Sequence, residues 1–508
     1  MKKSWLILLV LLAAGCVAPG AQQLNAASVP NADAAAGWAL KALPSGSGHD
    51  HNDPTQHKGL STPNFQVLGY EPLGTASMQN KSAGGWACGE LATTKDGRKL
   101  AVVNSFTTDV MFVLVDITDA AAPHKVGEFV LPEGHAYDVA MTPDGTHVLI
   151  AQNNPRPSAV SASLPLASTQ RAYYRDACTG AQSDLDPNQI LSALPGVVLV
   201  NIEDAAHPKI VNGFFSGVLG PHSVATARVD NVTWAIVSAL QLEHQASFYE
   251  FYQIDGDALN LISVYQAPPA VRTAPPPVLN GHMDGTIAKH PVTHQLLAYL
   301  ADWNAGLIIV DMTNPRVPIT LSQYSEASDP TQYIDPAGSI HDVWPLNTTW
   351  EGKHYVLAGQ ELGDKPAGRP SGWVYIIDDT DPTNIKVAGR WTLPVESPWQ
   401  GFLVFSLHYI AVYDHTLFAS AYHAGVWAAD ISDVAHPKTL GVFVPDREPP
   451  SPPDPKKLTA SPDVEDILVQ PDGTLVTFDA YSGAYTVKFT PDPSVPALPA
   501  WTDAHPVK

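Results

Sequence analysis

The chain has 508 residues, of which 45% are hydrophobic and 15% are charged, so it is long enough to bury a large core. It carries 50 acidic and 28 basic residues, and the formal net charge is −22. Such an excess of negative charge repels nucleic acid and anionic membrane surfaces, which excludes a nucleic-acid-binding function.

The N-terminus predicts export from the cytoplasm. Two lysines precede an apolar run from Trp5 to Ala14, which is too short to span a membrane stably. The ending Ala13-Ala-Gly-Cys16 resembles a bacterial lipobox, although Leu12 lies one place earlier than the usual aliphatic position. We expect residues 1–16 to be a signal peptide, with lipid on Cys16. The alternative is an ordinary signal peptide that is cut nearby.

The next segment, residues 17–64, is rich in Ala, Ser, Gly, Pro and Asn, a composition typical of a flexible tether. The sequence therefore predicts an extracytoplasmic protein that faces the periplasm or the cell surface and contacts a membrane only through its lipid anchor. The folded domain is expected over residues 65–490, followed by a C-terminal tail over 491–508.

Within the folded domain, one phrase recurs: an apolar run that is closed by Asp or Asn and followed by a polar turn. The copies are Val113-Leu-Val-Asp-Ile-Thr-Asp119, Val198-Leu-Val-Asn-Ile-Glu-Asp204, Ile308-Ile-Val-Asp-Met-Thr-Asn314, Tyr375-Ile-Ile-Asp-Asp-Thr-Asp381 and Trp427-Ala-Ala-Asp-Ile-Ser-Asp433, with a weaker copy at Phe251-Tyr-Gln-Ile-Asp255. After the longer first interval, the copies are about 50 to 70 residues apart, and repeats of this length, made of strands and turns, predict radial copies of a four-stranded sheet, a β-propeller.

The phrase resembles the LVIVD repeat of a bacterial propeller family, and the resemblance extends over residues 65 to 490. It implies the fold, but it implies little about chemistry, because propellers host unrelated functions. Seven first strands are expected, beginning near Ala87, His135, His222, His282, Ser339, His408 and Asp463. The seventh blade has only three strands of its own. The segment Phe65–Leu73 resembles the fourth strand of other blades and is expected to close the ring.

Histidines recur on these first strands, and one face of each first strand lines the central channel. The positions expected on that face are His135 and Tyr137, Gly220 and His222, His282 and Asp284, Ser339 and His341, Ser406 and His408, and Asp463 and Glu465. Any single histidine is more simply a packed or solvated channel residue. Five from different blades, mixed with carboxylates, are the ligand set of a transition metal. A register error of one residue would turn a side chain to the opposite face.

We therefore predict that His222, His282, His341 and His408 bind one metal ion, with Glu465 nearby and His135 a less certain member. Asp284, Tyr137 and Asp463 are expected to contact these ligands rather than the ion. The cofactor is expected to be copper, zinc or iron. Of the cysteines left after Cys16, Cys88 and Cys178 are predicted to form a disulfide, with two free thiols as the alternative.

Long connections, including 153–195 and 446–462, are expected on the face where the first strands begin, so a small-molecule ligand would enter there. The predicted function is a metal-dependent oxidoreductase. Its architecture is similar to that of carotenoid oxygenases and, more loosely, of selenium-binding proteins and methanethiol oxidases, whose signature sequences are absent. The alternative is a non-catalytic surface lipoprotein whose loops bind a protein or a glycan.

Overall fold

The structure is a computed structural model, and its described part consists of strands and turns. The described residues are 57–74, 85–105, 110–131, 136–152, 196–215, 220–241, 246–268, 282–303, 305–325, 338–362, 372–394, 406–447, 462–495 and 497–499. Among them, no helix is long and apolar enough to cross a membrane.

In the described residues, twenty-nine strands form seven sheets, which are the seven blades of a propeller. Blade 1 contains β2 (Trp86–Thr93), β3 (Lys99–Ser105), β4 (Val110–Asp116) and β5 (His124–Val130). Blade 2 contains β6 (Ala136–Met141), β7 (His147–Gln152), β8 (Gly196–Asn201) and β9 (Lys209–Phe215), and blade 3 contains β10 (Pro221–Val229), β11 (Val232–Gln241), β12 (Ala246–Asp255) and β13 (Ala258–Gln266). Blade 4 contains β14 (His282–Lys289), β15 (Leu296–Asp302), β16 (Gly306–Asp311) and β17 (Ile319–Tyr324).

Blade 5 contains β18 (Gly338–Pro345), β19 (Tyr355–Leu362), β20 (Val374–Asp378) and β21 (Lys386–Trp391). Blade 6 contains β22 (Ile410–Tyr413), β23 (Thr416–Ser420), β24 (Val426–Asp430) and β25 (Lys438–Phe443), with β29 (Leu498–Pro499) added at its outer edge. Blade 7 contains β26 (Val464–Val469), β27 (Thr474–Asp479), β28 (Gly483–Phe489) and the N-terminal β1 (Phe65–Glu71). The first strands of neighbouring blades contact one another and form the inner wall.

The predicted seven-bladed fold is confirmed, and so is the closure of its last blade. Strand β1 pairs antiparallel with β28, from Phe65 opposite Phe489 to Glu71 opposite Ala484. The pairing joins the two ends of the ring, so blade 7 has no open edge at this position. A Cβ at Gly69 would lie 2.4 Å from Pro123 Cδ of blade 1, which explains the glycine in the closing strand.

The repeated phrase ends the third strand of its blade. Strands β4, β8, β12, β16, β20 and β24 end at Asp116, Asn201, Asp255, Asp311, Asp378 and Asp430. In five of these the side-chain oxygen accepts a hydrogen bond from the backbone N–H two residues later, as Asp116 Oδ1 does from Thr118 at 2.9 Å. This local bond replaces the strand pairing and starts the turn, which is why the polar residue recurs.

Seven apolar clusters hold the ring together, one between each pair of neighbouring blades. The cluster between blades 5 and 6 contains Trp391 and Trp427, both fully buried. Because each blade packs on two neighbours, the inner wall is a fixed frame on which functional side chains are positioned.

Both chain ends contribute more to the propeller than the sequence predicts. Residues 57–64, placed in the tether by composition, pack on blade 6. His57 Nδ1 lies 3.2 Å from the Pro445 carbonyl oxygen, and Thr62 donates its backbone N–H to the Val442 carbonyl at 2.9 Å. In the tail, β29 pairs with the start of β25. These contacts cover the outer edge of blade 6, which would otherwise expose unpaired backbone groups.

Candidate metal centre

Most of the first strands contain a β-bulge close to their first residue. In β18, Ile340 pairs with Gln360 and Asp342 pairs with Gly359, so His341 is an extra residue. Tyr137 in β6 and Glu465 in β26 occupy the same position in their strands. A bulge re-aims the side chain of its extra residue. The sequence prediction that His341, Tyr137 and Glu465 lie at one level agrees with these registers.

Three side chains from blades 5 and 6 come together at this level: His341, Glu361 and His408. One ligand atom of each lies within 4.8 Å of the others. His341 Nε2 is 3.7 Å from Glu361 Oε2, and the ring centroids of His341 and His408 are 4.2 Å apart. Both histidines are buried, whereas 15% of the Glu361 side chain is exposed. This arrangement offers two imidazoles and one carboxylate to a single ion.

The protonation of the histidines suits metal binding. Burial lowers the pKa of His341 well below its usual value, and the neighbouring His408 and His222 lower it further. His341 is thus neutral at pH 7, as a ligand must be. His408 Nδ1 lies 2.7 Å from the Glu465 carbonyl oxygen and 3.4 Å from its Oε2. When Nδ1 donates to these acceptors, Nε2 is the unprotonated nitrogen of the neutral His408 ring, which is the form that can bind an ion.

His341 also has an atom without a partner. Its Nδ1 is buried and makes no hydrogen bond with any residue in the part of the chain that the structure describes. A buried polar atom of this kind costs free energy unless something binds to it or near it. The observation is consistent with an ion at this site.

Aromatic rings surround the three candidate ligands. Tyr422 donates its hydroxyl hydrogen to Glu361 Oε1 at 2.6 Å, and its ring lies 4.7 Å from the ring of His408. The Tyr409 ring lies 4.7 Å from His408 and 5.1 Å from His341. The Trp303 ring meets His341 edge to face at 6.5 Å. These contacts fix the imidazole planes and reduce the access of water to them.

Other residues predicted for the site lie around this group. His222 packs against Tyr137, with ring centroids 4.2 Å apart and ring planes tilted by 51°, and its charge lowers the pKa of His341. Glu465 contacts His408, as described above. Asp463 Oδ1 is 3.9 Å from His423 Nδ1, so Asp463 contacts a histidine outside the three-residue group.

Blade 4 differs from the predicted alignment by one residue. Strand β14 pairs His282 with Asp302 and Gly285 with Leu300, so Met283 occupies the position that His341 has in blade 5. Asp284 corresponds to Asp342, one residue further along. The sequence alignment placed His282 and Asp284 at the channel level because it matched Gly-His dipeptides without allowing for the bulge. His135 lies outside the described residues.

Directly after the bulge residue, several first strands carry an acidic residue whose role the sequence analysis missed. Asp138, Asp342 and Asp466 each accept two backbone hydrogen bonds, one from the following residue and one from the first strand of the next blade. The second donors are Val224 at 2.9 Å, Ile410 at 2.7 Å and Gly89 at 2.8 Å, respectively. We call each of these contacts an Asp bridge. Because every bridge joins two first strands, it ties neighbouring blades together at the inner wall.

Around the ring, blades with an acidic residue at the Asp-bridge position alternate with blades that lack one. Because the number of blades is odd, the alternation cannot close, and two blades of the same kind are adjacent. Asp284 in blade 4 and Asp342 in blade 5 are therefore neighbours. The backbone N–H of Val343 is already bonded to Asp342 Oδ1, so Asp284 is deprived of the donor that the other bridges use. Burial raises the pKa of Asp284 to about 6, and burial together with the charge of Asp284 raises the pKa of Asp342 well above the usual value. One proton held between the two carboxyls satisfies both.

Glu90 of blade 1 adds a fifth carboxyl to this level. Burial, together with the charges of Asp284 and Asp466, raises its pKa to about 8, and a hydrogen bond from the Leu91 N–H only partly offsets this. Burial and Asp284 also raise the pKa of Asp466, to about 7. The inner wall thus holds protonated carboxyls at neutral pH.

The predicted disulfide between Cys88 and Cys178 is not seen. Cys88 is a buried free thiol, and Cys178 lies outside the described residues. The Cys88 thiol accepts a contact from the Tyr409 hydroxyl at 3.6 Å, and its backbone N–H donates to Asn104 Oδ1. The bulge of β2 directs this cysteine into the inner wall rather than toward the loops above it.

A second group of potential ligands, His290, His354 and Asp379, is fully buried between blades 4 and 5. His290 Nδ1 accepts the backbone N–H of Thr293 at 3.0 Å, so its other nitrogen carries the hydrogen, which is directed to the Asp379 carbonyl oxygen at 3.0 Å. A nitrogen that donates in this way cannot bind an ion. These three residues connect blade 4 to blade 5 through their polar contacts.

Glu361 is the most important site residue that the sequence analysis missed. It lies near the end of the second strand of blade 5, opposite Ser339, which was placed on the channel face. A search of the residues opposite each predicted channel position would have found it. The recurring acid directly after Tyr137, His341 and Glu465 was a second signal, since each such residue forms an Asp bridge.

Comparisons with known proteins found a matching repeat family and similar solved structures. The LVIVD repeat family matches residues 297–326, so the chain contains at least one such repeat in β15 to β17. No curated protein sequence matches the chain. A crystal structure of a protein from Lactobacillus plantarum is similar, with a TM-score of 0.46, 10% identity and coverage of 78% of this chain and 89% of that one. The WD40 β-propeller domain of Doa1 gives a TM-score of 0.44 and 8% identity, covering 85% and 99%.

Proposed function

We propose that the protein binds one transition-metal ion at His341, Glu361 and His408 and is a metal-dependent oxidoreductase acting on a small molecule. The observation that carries the proposal is the convergence of these three ligand atoms within 4.8 Å. Glu465 contacts His408 and the charge of His222 acts on His341, so we propose that these two residues support the ligands.

The ligand set favours this chemistry. Two histidines and one carboxylate leave open positions on the ion, as in non-haem ferrous oxygenases, and the ion would hold dioxygen or a substrate atom there. Tyr422 orients Glu361 through its hydroxyl, and Glu465 orients His408 through its carbonyl oxygen. Such supporting contacts typically account for 10- to 100-fold in metal affinity or activity, on the order seen in other metal sites.

The test compares the affinity for ferrous iron, copper and zinc among single variants, by equilibrium dialysis of protein purified without a histidine tag. His408→Ala and Glu361→Gln should each weaken binding by more than about tenfold. His436→Ala is the control, because His436 is 78% exposed in an outer turn, where it pairs with Asp433. Dioxygen uptake by the loaded protein then separates an oxidoreductase from a metal-dependent hydrolase. If the variants bind metal as the wild type does, the proposal fails. The better explanation is then a non-catalytic protein whose loops bind a protein or a glycan.

We also propose that the protein is extracytoplasmic and lipid-anchored through Cys16. The support is the apolar run followed by Ala13-Ala-Gly-Cys16 in the sequence. Mass spectrometry of the mature N-terminal peptide should find an acylated cysteine, and Cys16→Ala should move the protein from the membrane fraction to the soluble fraction. An unmodified N-terminus that begins elsewhere would contradict the anchor.

A further inference from the structure

The two candidate histidine ligands belong to different sheets, so no strand pairing fixes their separation. His341 is the extra residue of the β18 bulge in blade 5. His408 lies just before the first strand of blade 6, which begins at Ile410. The backbone hydrogen bonds of a sheet run within each blade, whereas one ion needs both imidazoles at a fixed distance. The separation of the two histidines therefore depends on contacts between the blades.

Asp342 makes such a contact from the position directly after His341. Its Oδ1 accepts the backbone N–H of Val343 at 2.6 Å, which orients the carboxylate on its own strand. Its Oδ2 accepts the backbone N–H of Ile410, two residues after His408, at 2.7 Å. Asp342 is buried, so water does not compete for these two hydrogen bonds. One carboxylate thus joins the two short segments that carry the histidine ligands.

A second Asp bridge has the same geometry with different side chains. Asp138 follows Tyr137, the bulge residue of blade 2. It accepts the backbone N–H of Val224, which lies two residues after His222 in blade 3. The ring centroids of Tyr137 and His222 are 4.2 Å apart, and the two candidate histidine ligands have the same separation. Equal spacing of two different ring pairs indicates that the bridge, rather than the chemistry of the rings, sets the distance.

We infer that Asp342 is a positioning residue of the metal centre, whose bridge holds His341 and His408 at the spacing that one ion requires. The inference rests on the proposed function for the role of the ion. Asp342 does not bind the ion itself. It fixes the bulge that aims His341 and ties that bulge to the segment of His408. Loss of the bridge should therefore weaken metal binding although every ligand is still present.

The test compares Asp342→Ala with Asp138→Ala in the full chain. Both changes remove one Asp bridge between neighbouring blades, so they should lower Tm by similar amounts. In equilibrium dialysis, Asp342→Ala should bind zinc at least about tenfold more weakly than the wild type, and Asp138→Ala should bind it with unchanged affinity. Cobalt(II), whose visible absorption depends on ligand geometry, should give an altered spectrum in Asp342→Ala alone. Equal zinc affinity in all three proteins, or an equal loss in both variants, would overturn the inference.

Crystal structures of the metal-free proteins give a measurement that does not depend on the ion. Asp342→Ala should change the 4.2 Å spacing of the two candidate histidine ligands and leave the ring pair of blades 2 and 3 in place, whereas Asp138→Ala should do the reverse. If the alanine variant does not fold, Asp342→Asn replaces it, because an amide oxygen and an amide NH2 cannot accept both backbone N–H groups.

The two measurements separate the inference from the proposed function. If both ring pairs keep their spacing in the variants, the inference fails even when the wild type binds metal. If the spacing changes as expected and the wild type takes up no metal, the proposed function fails and the role of Asp342 in positioning the two histidines stands.

Discussion

Replacement of Glu90 by glutamine tests whether the inner wall holds protonated carboxyls. The pKa of Glu90 is raised to about 8 from an ordinary value of 4.5, so between these values the folded chain binds a proton that the unfolded chain lacks. Its contribution to stability is complete below the ordinary pKa and is lost as the pH rises through the folded pKa. The wild-type protein should accordingly be more stable at pH 7 than at pH 9.

The magnitude follows from the pKa. Between pH 9 and pH 7 a group with a folded pKa near 8 contributes about 1.4 kcal/mol, and Asp466, with a pKa of about 7, adds a few tenths. Ordinary histidine pKa values lie below this window, so neutral buried histidines add little. For a propeller of roughly 430 residues, with an unfolding entropy of about 2 cal/mol/K per residue, 1.4 kcal/mol corresponds to a rise in Tm of about 1.5 °C.

The assay is scanning calorimetry at both pH values, at one ionic strength and one scan rate, on the wild type, Glu90→Gln and Glu203→Gln. Glutamine imitates the neutral carboxyl, so Glu90→Gln should lose the Glu90 share of the pH dependence, about 1.4 kcal/mol, and should be more stable than the wild type at pH 9. Glu203 is exposed, and its replacement should leave the dependence unchanged. An unaltered pH slope in Glu90→Gln would refute the reasoning.

Three other predictions follow from the structure. Asp466→Ala breaks an Asp bridge and leaves the Gly89 N–H without its partner, which should cost about 1–3 kcal/mol in the free energy of unfolding, measured with urea. Deletion through residue 64 should lower Tm by several degrees relative to deletion through residue 56, because it removes the contacts of His57 and Thr62 with blade 6; equal values would contradict the packing. Tyr422→Phe removes the hydroxyl that donates to Glu361 and should weaken metal binding about tenfold in dialysis, with folding unchanged by circular dichroism.

The fold was predictable because its signals are local. Each closing residue, such as Asp116 or Asp311, makes its turn with a backbone group two positions away, so the strand ends are encoded within a few residues. The N-terminal closing strand was predictable for a related reason, since Phe65–Glu71 shares the pattern of other fourth strands.

The site was only partly predictable because bulges and cross-strand neighbours are not local. The distance from the turns placed His341 and Glu465 at the bulge positions that the strand registers give them. Blade 4 was misaligned by one residue because the bulge in β14 cannot be located from Gly281-His282 alone. Glu361 joins the site only through the pairing of β18 with β19, and the Asp bridges depend on contacts between different blades.

The central claim is that His341, Glu361 and His408 hold one metal ion, and the most direct measurement is the metal content of the protein as isolated from the cell. Mass spectrometry of elements on tag-free protein should find about one iron, copper or zinc per chain in the wild type and in His207→Ala, since His207 is 76% exposed and contacts Asp204 in an outer turn. The double variant His341→Ala, His408→Ala should contain none. A wild-type protein without stoichiometric metal, or a double variant that retains it, would contradict the account.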